Sequence, residues 1–259
     1  MPTALITGAS AGIGEEFAYA LARDRFELVL TARREDRLRQ VAERATAQGA
    51  SAVHVIAADL ARRETPAAIF DQVERENLRV DYLVNNAGFG TRGRFSDQPL
   101  DRELEEIDLN VTALVALTRK FLPPMIARHH GTIINVASTA GFQPLPFMAT
   151  YAATKAFVVS FSQAIAAEAA GTGVRILALC PGPTRSEFHA VAGIEDARTP
   201  EFMFMDVKTV VAQGLAAARR GKWLHINGAL NFVLAESIRI APRTLATRIA
   251  ARLYRPAQS

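Results

Sequence analysis

Seven short apolar runs, several rich in β-branched residues, are separated along this chain by longer stretches with helical periodicity. Residues 3–7, 26–31, 52–57, 81–84, 132–137, 174–180 and 222–226 have the length and composition of buried strands. Past Gly14 the periodicity turns helical and puts Phe17, Ala18 and Leu21 on one side. Further helices are expected over 35–47, 62–77, 100–128, 151–170 and up to about residue 220, the third of these interrupted at Pro123-Pro124. Strands alternating with helices at this spacing predict an α/β fold, a parallel sheet covered on both faces. Right-handed crossovers then make it doubly wound.

The chain has 259 residues and no Pro/Gly/Ser-rich linker, repeat or low-complexity run, which predicts one domain. Two stretches stand outside the alternation. Residues 185–205 are irregular and carry Phe188, Phe202, Met203, Phe204 and Met205. They read as a lid over a greasy substrate, with a permanently packed loop or a subunit contact as the alternatives. Residues 231–259 form a basic C-terminal extension with Arg239, Arg243, Arg248, Arg252 and Arg255 against Glu236 alone. That surplus equals the +4 of the whole chain, so residues 1–230 are neutral and offer no electrostatic case for nucleic acid. Within the extension Leu245, Ile249 and Leu253 recur every four residues, a stripe on a short basic helix running between Pro242 and Pro256. Docking of that stripe on the body or a neighbouring subunit is expected ahead of contact with a membrane surface.

Composition removes other options. No apolar run is long enough to span a membrane, and the first six residues lack the pattern of a signal peptide. Cys180 is the only cysteine, which fits a reducing cytoplasm, and it reads as a buried strand residue. The five histidines, at 54, 129, 130, 189 and 225, show no metal-ligand spacing, so no metal is expected.

The candidate chemistry sits at strand ends. Gly8-Ala9-Ser10-Ala11-Gly12-Ile13-Gly14 lies between a strand and a helix, where backbone N–H groups can face a phosphate. The second strand runs into Arg33 and Arg34 with no acid before Glu35, which suits the 2′-phosphate of NADP better than the free ribose of NAD. Asp59-Leu60 closes the third strand, and Asn85-Asn86-Ala87-Gly88 ends the fourth. Asn110 interrupts a helix as a mediocre helix former. Ser138 ends the fifth strand, and Pro181-Gly182-Pro183-Thr184 follows the sixth. Tyr151 and Lys155 stand four apart on one helix, hence on one face. A nearby ammonium lowers a phenol's pKa, so Tyr151 is expected to trade a proton with a carbonyl or alcohol oxygen near neutral pH.

These motifs, in this order over residues 3–230, resemble the short-chain dehydrogenase/reductases. The resemblance implies a Rossmann-like, seven-stranded sheet in the order 3-2-1-4-5-6-7 and a catalytic domain over residues 1–230. It implies Tyr151 as the acid/base, Ser138 bonding the substrate oxygen, Lys155 lowering the Tyr151 pKa and holding the nicotinamide ribose, and Asn110 anchoring a water in the proton relay. Gly8, Ser10, Gly12, Ile13, Gly14, Arg33, Arg34, Asp59, Leu60, Asn86, Ala87, Gly88, Pro181, Gly182 and Thr184 would line NADP(H), with Tyr151 and Lys155. A basic residue found before the second glycine in some relatives is Ala11 here, so Arg33, helped by Arg34, carries the preference. The implied activity is NADP(H)-dependent interconversion of a carbonyl and an alcohol on a fairly apolar substrate, such as a 3-oxoacyl or lipophilic ketone. The alternative is a cofactor-binding sensor or scaffold without turnover. A homodimer or homotetramer is implied as well.

Overall fold

The computed structural model describes residues 1–185, 187, 192–193, 201–238 and 243–255, with only the backbone of Arg243, Leu245 and Ala246. The expectations placed on Phe188, His189, Arg239, Pro242, Pro256 and the Leu245 side chain lie outside the described residues.

Seven strands form one parallel sheet in the order β3-β2-β1-β4-β5-β6-β7. They are β1 (Thr3–Thr7), β2 (Glu27–Ala32), β3 (Ala52–Ala57), β4 (Val80–Asn85), β5 (Gly131–Val136), β6 (Val174–Cys180) and β7 (Leu224–Ile226). Neighbouring strands are parallel at every step. Such a sheet is buried on both faces, so its strands are apolar throughout rather than alternating. In β1 every residue is buried: Ala4 and Ile6 face one layer of helices and Leu5 faces the other.

The first layer contains α1 (Gly12–Arg23) and α2 (Glu35–Ala47), which bury Phe17, Leu21, Leu38 and Val41. The second contains α3 (Thr65–Arg75) and the C-terminal part of a long helical stretch, which bury Ile69, Val73, Leu117, Phe121 and Met125. That long stretch consists of α4 (Leu100–Ile107), a π turn (Asp108–Ala113) and α5 (Leu114–Ala127). Pro123 and Pro124 do not interrupt it, contrary to the sequence expectation. The α-helical partners they lose are the carbonyls of Arg119 and Lys120, and both of those residues are exposed, so water can take the missing donors' place. The break comes earlier, as the π turn around Asn110. After β5 come α6 (Ala149–Glu168), which carries Tyr151 and Lys155, and then, past β6, α7 (Val207–Arg219) on the first layer.

The described residues of the C-terminal region hold two helices, α8 (Ala229–Ser237) and α9 (Arg243–Tyr254). Strand order reverses between β1 and β4, and in sheets of this kind the crevice beyond the strands' carboxyl ends at that point receives ligands.

Candidate active site

The carboxyl ends of β1, β2, β4, β5 and β6 open onto one cavity of about 760 Å³. At one end is the glycine turn. Gly8 has φ of +64°, a left-handed conformation that disfavours side chains, and a Cβ on it would fall 2.8 Å from Asn86 Nδ2. Ser10, Gly12 and Ile13 line the cavity, while Gly14 lies behind its wall, where a Cβ would come within 2.3 Å of the Gly8 carbonyl oxygen. The residue before α1, Ala11, provides no side-chain cap, so no side chain of that residue bonds the helix's first N–H groups.

Asn86 ties the turn to β4. Its Nδ2 donates to the carbonyl oxygens of Thr7, at 2.9 Å, and Gly8, at 3.3 Å, and Thr7 Oγ1 accepts from the N–H groups of Asn86 and Ala87. Asn86, Ala87 and Gly88 still line the cavity. Asn85 does not: its amide is buried and donates to Thr118 Oγ1 and Asn135 Oδ1.

Arg33 and Arg34 stand at the rim with Asp59 and Leu60. Arg34 reaches Ser10 Oγ at 3.3 Å and Glu187 at 2.9 Å, while Arg33 turns to Glu105 at 3.1 Å. Both ion pairs are about half exposed and therefore weak, so a phosphate dianion could displace them. Asp59 Oδ1 accepts from the Ala61 N–H, a turn-forming bond. Pro181, Gly182 and Thr184 form the opposite wall, and Thr184 Oγ1 donates to the Gly182 carbonyl.

At the other end Ser138, Tyr151 and Lys155 converge. Ser138 Oγ accepts from the Ala140 N–H at 3.1 Å and is within hydrogen-bonding reach of the Tyr151 phenol. Lys155 Nζ donates to the Val136 carbonyl at 2.9 Å and lies 5.8 Å from the Tyr151 ring centroid. Burial pushes the Lys155 ammonium down to about 8, opposed by the negative Glu106. Tyr151 departs from the sequence expectation. Its pKa is raised, not lowered, because burial dominates; the Ser138 bond pulls it down, while Glu106 and Tyr254 push it further up. In the protein alone Tyr151 is therefore a neutral phenol with its proton in place.

Asn110 lies behind this wall, 1% exposed. Its Oδ1 accepts from the Phe89 N–H at 3.1 Å, and its Nδ2 donates to the Phe89 carbonyl at 2.8 Å and to Thr154 Oγ1 at 3.1 Å. The side chain is thus engaged on three sides, and the π turn around it offsets the α-helical ladder. One and two turns before it lie Glu106 and Glu103, both buried. Thr91 Oγ1 approaches Glu103 Oε1 and Glu106 Oε2, and Thr150 donates to Glu103. Burial pushes the Glu106 carboxyl up to about 7, helped by the charge of Glu103. The sequence reading passed over both glutamates, although their spacing of four and seven before Asn110 put them on its face.

The remaining wall comes from α9. Ala250 is buried, and Tyr254 packs with it on Ala140, Leu145, Met148 and Tyr151. The predicted stripe is displaced by one residue: Ile249 and Leu253 are 54% and 44% exposed at the cavity mouth, and Ala250 and Tyr254 form the docked face. Arg92, also missed, fixes the helix end. Its guanidinium donates to the carbonyls of Tyr254, Arg255 and Gly193 at 2.9, 3.0 and 3.1 Å.

Comparison with known proteins agrees with this geometry. The short chain dehydrogenase family profile matches residues 2–196. A solved short-chain dehydrogenase from Sphingobium yanoikuyae in complex with NADPH is 35% identical, with a TM-score of 0.83 over 100% of this chain and 98% of that one. The bulky-bulky ketone specific alcohol dehydrogenase from Comamonas testosteroni is 29% identical, with a TM-score of 0.79 over 100% and 97% of the two chains. A short chain dehydrogenase of Pseudocercospora fijiensis is 38% identical over 190 residues, which are 73% of this chain and 61% of that relative's length.

Proposed function

Because this chain belongs to the short-chain dehydrogenase family, we propose that it is an NADP(H)-dependent oxidoreductase interconverting a fairly apolar ketone or aldehyde and its alcohol. The observation that carries the reading is one cavity with Ser138, Tyr151 and Lys155 at one end and a glycine cradle with two arginines at the other. The cradle fits a dinucleotide. A Cβ on Gly88 would fall 2.8 Å from Asn110 Oδ1 and 3.5 Å from Lys155 Nζ, so glycine there lets the reaction centre pack directly against the backbone of this wall. Gly8, Ser10, Gly12, Ile13 and Gly14 would hold the pyrophosphate, Arg34 and Arg33 the 2′-phosphate, Asp59 and Leu60 the adenine side, and Asn86, Ala87, Gly88, Pro181, Gly182 and Thr184 the nicotinamide side. When bound, the dinucleotide supplies or accepts the hydride.

The chain's own residues supply the rest. Ser138 donates a hydrogen bond to the substrate oxygen and steadies its developing negative charge. Tyr151, neutral in this pocket, hands its proton to that oxygen, and the adjacent Lys155 ammonium stabilises the phenolate left behind. In the reverse direction the Tyr151 phenolate, stabilised by Lys155, takes the alcohol proton and becomes the neutral phenol again. Leu145, Met148, Leu234, Ile249 and Leu253 line the substrate end, which supports an apolar ligand, such as a 3-oxoacyl or lipophilic ketone, and excludes water. The bulky-ketone specificity in the Comamonas relative's description points the same way.

A second copy of the chain is proposed as the partner. Leu100, Leu104 and Ile107 on α4 and Phe157 on α6 are exposed apolar groups on packed helices, which supports a homodimer or homotetramer through that face. The single, buried Cys180 supports a cytoplasmic setting. Among the described residues no helix is long and apolar enough to cross a membrane. The test is NADPH consumption against a panel of aliphatic, aromatic, steroid and 3-oxoacyl carbonyls, and no turnover of any would overturn the enzyme reading.

A further inference from the structure

Among the described residues the substrate end of the cavity is largely apolar, and its polar groups besides Ser138 and Tyr151 include Gln143, Ser237 and, from the C-terminal helix, Tyr254. Tyr254 lines the cavity beside Leu145, Met148 and Leu253, packed on the cluster that contains Tyr151. Its hydroxyl makes no hydrogen bond among the described residues, although its backbone carbonyl accepts from Arg92. Tyr254 is partly buried and its hydroxyl faces the cavity without a partner among the described residues, so a ligand there can take its hydrogen bond in place of water. Burial pushes the phenol up, so it stays neutral across the working pH range and can donate to a neutral oxygen.

Its position is fixed from behind. The Arg92 guanidinium holds the last carbonyls of α9, where a cation also complements the helix dipole, and it grips Gly193 at the same time. Arg92 belongs to the segment following Phe89, whose backbone is bonded to Asn110. Tyr254 is thus anchored to the frame of the reaction centre, on the side of the pocket occupied by the part of the substrate that does not react.

We propose that Tyr254 forms a second polar subsite, donating a hydrogen bond to an acceptor oxygen that a bulky apolar ketone carries in addition to its reacting carbonyl. The substrate class is then an oxo-ester, diketone or similarly oxygenated ketone. This rests on the carbonyl–alcohol reading above.

The test compares two ketones of matched length, ethyl 3-oxo-3-phenylpropanoate and hexanophenone, on the full-length protein. In the first, an ester replaces methylenes of the second. The Tyr254→Phe variant keeps the ring and its packing and removes only the donor. It should raise KM for the oxo-ester about 3- to 10-fold, as loss of a neutral hydrogen bond does, and change the hexanophenone KM by less than about twofold. Equal changes for both ketones, or none, would overturn the proposal. Calorimetric binding of the same ketones to the wild-type protein with NADP+, which has no hydride to give a ketone, yields a result that needs neither turnover nor a variant. Tighter binding of the oxo-ester supports the subsite, and equal binding overturns it. Failure of turnover with both ketones counts against the carbonyl–alcohol reading, while the binding comparison still decides the subsite.

Discussion

Thr91 Oγ1 lies 2.7 Å from Glu106 Oε2 and also 2.9 Å from Glu103 Oε1, between two buried carboxyl groups. A hydroxyl has one proton, so it can donate to one carboxylate and must accept from the other. A protonated Glu106 meets that requirement, in agreement with its pKa of about 7. The second oxygen, Oε1, has no hydrogen-bond partner and is buried. Ionising Glu106 therefore places a poorly solvated charge behind the active-site wall, where it acts on both Tyr151 and Lys155.

Glu106→Gln should separate these effects. Its amide can donate to Thr91 as the protonated acid does. Glu106's folded pKa lies above its unfolded value, so the stability it contributes is present below about pH 4.5 and lost as pH rises through about 7. Gln does not titrate, so the variant should be more stable than wild type above pH 7, by about 1–3 kcal/mol, and equal to it near pH 4.5. Removing the negative charge also lowers the Lys155 pKa, which lies at about 8 with Glu106 present. The alkaline limb of NADPH binding, where Lys155 loses its proton, should move to lower pH. Melting curves and NADPH titrations across pH 4.5–9 check both; an unshifted limb would separate Glu106 from Lys155.

Tyr151→Phe keeps the buried ring and removes the proton donor. Turnover should fall by at least about 10²-fold, the contribution expected of a positioned acid–base group. NADPH affinity and melting temperature should stay close to wild type, because the hydroxyl supports neither the glycine turn nor the core. Near-normal ketone reduction by this variant would exclude Tyr151 as the acid.

The arginine prediction is sharpened by the structure. Arg34, at Ser10, sits nearer the glycine turn than Arg33, which reaches towards Glu105. Each bond to a phosphate dianion is charge-assisted and contributes about 1.5–3 kcal/mol, or roughly 10- to 150-fold. Arg34→Ala and Arg33→Ala should each raise the NADPH KM within that range and leave NADH use unchanged. Both arginines are half-exposed and their present partners, Glu105 and Glu187, are partly or fully exposed, so neither change should alter stability by more than about 1 kcal/mol. A wild-type preference for NADH would overturn the assignment of both.

The sheet was legible because its information is local. Runs such as Ile133-Ile134 and Leu177-Ala178-Leu179 are apolar on both faces, and only a sheet covered on both sides uses them. Tyr151, Lys155 and Ser138 were legible because the chemistry fixes their residue types and spacing. What escaped depends on long-range packing. Periodicity does not foretell a π turn, since one extra residue leaves the apolar pattern nearly intact. Pro123-Pro124 signals a helix end, yet Arg119 and Lys120, whose carbonyls lose their donors, are exposed residues where water can substitute. The Tyr151 phenol was misjudged because its spacing from Lys155 was visible, whereas the burial that outweighs it was not. Tyr254 and Arg92 stand 162 positions apart, and no local pattern joins them.

The last prediction concerns that join. Deleting residues 243–259 removes Ala250 and Tyr254 and opens Ala140, Leu145, Met148 and Tyr151 to water. Loss of one buried aromatic contact costs about 1.5–3 kcal/mol, which corresponds to a melting-temperature fall on the order of 5 °C. The contact is apolar, so the fall should be the same at low and high salt. Two changes at the active site should accompany it. KM should rise for both ketones as the pocket loses a wall, and the pH at which Tyr151 ionises should fall, because the truncation removes part of its burial and the neighbouring phenol. The competing role for this helix is a membrane surface, since Arg248, Arg252, Ile249 and Leu253 all face outward. In that case the intact protein would pellet with anionic liposomes at low salt and be released at high salt, and truncation would leave both the melting temperature and KM unchanged.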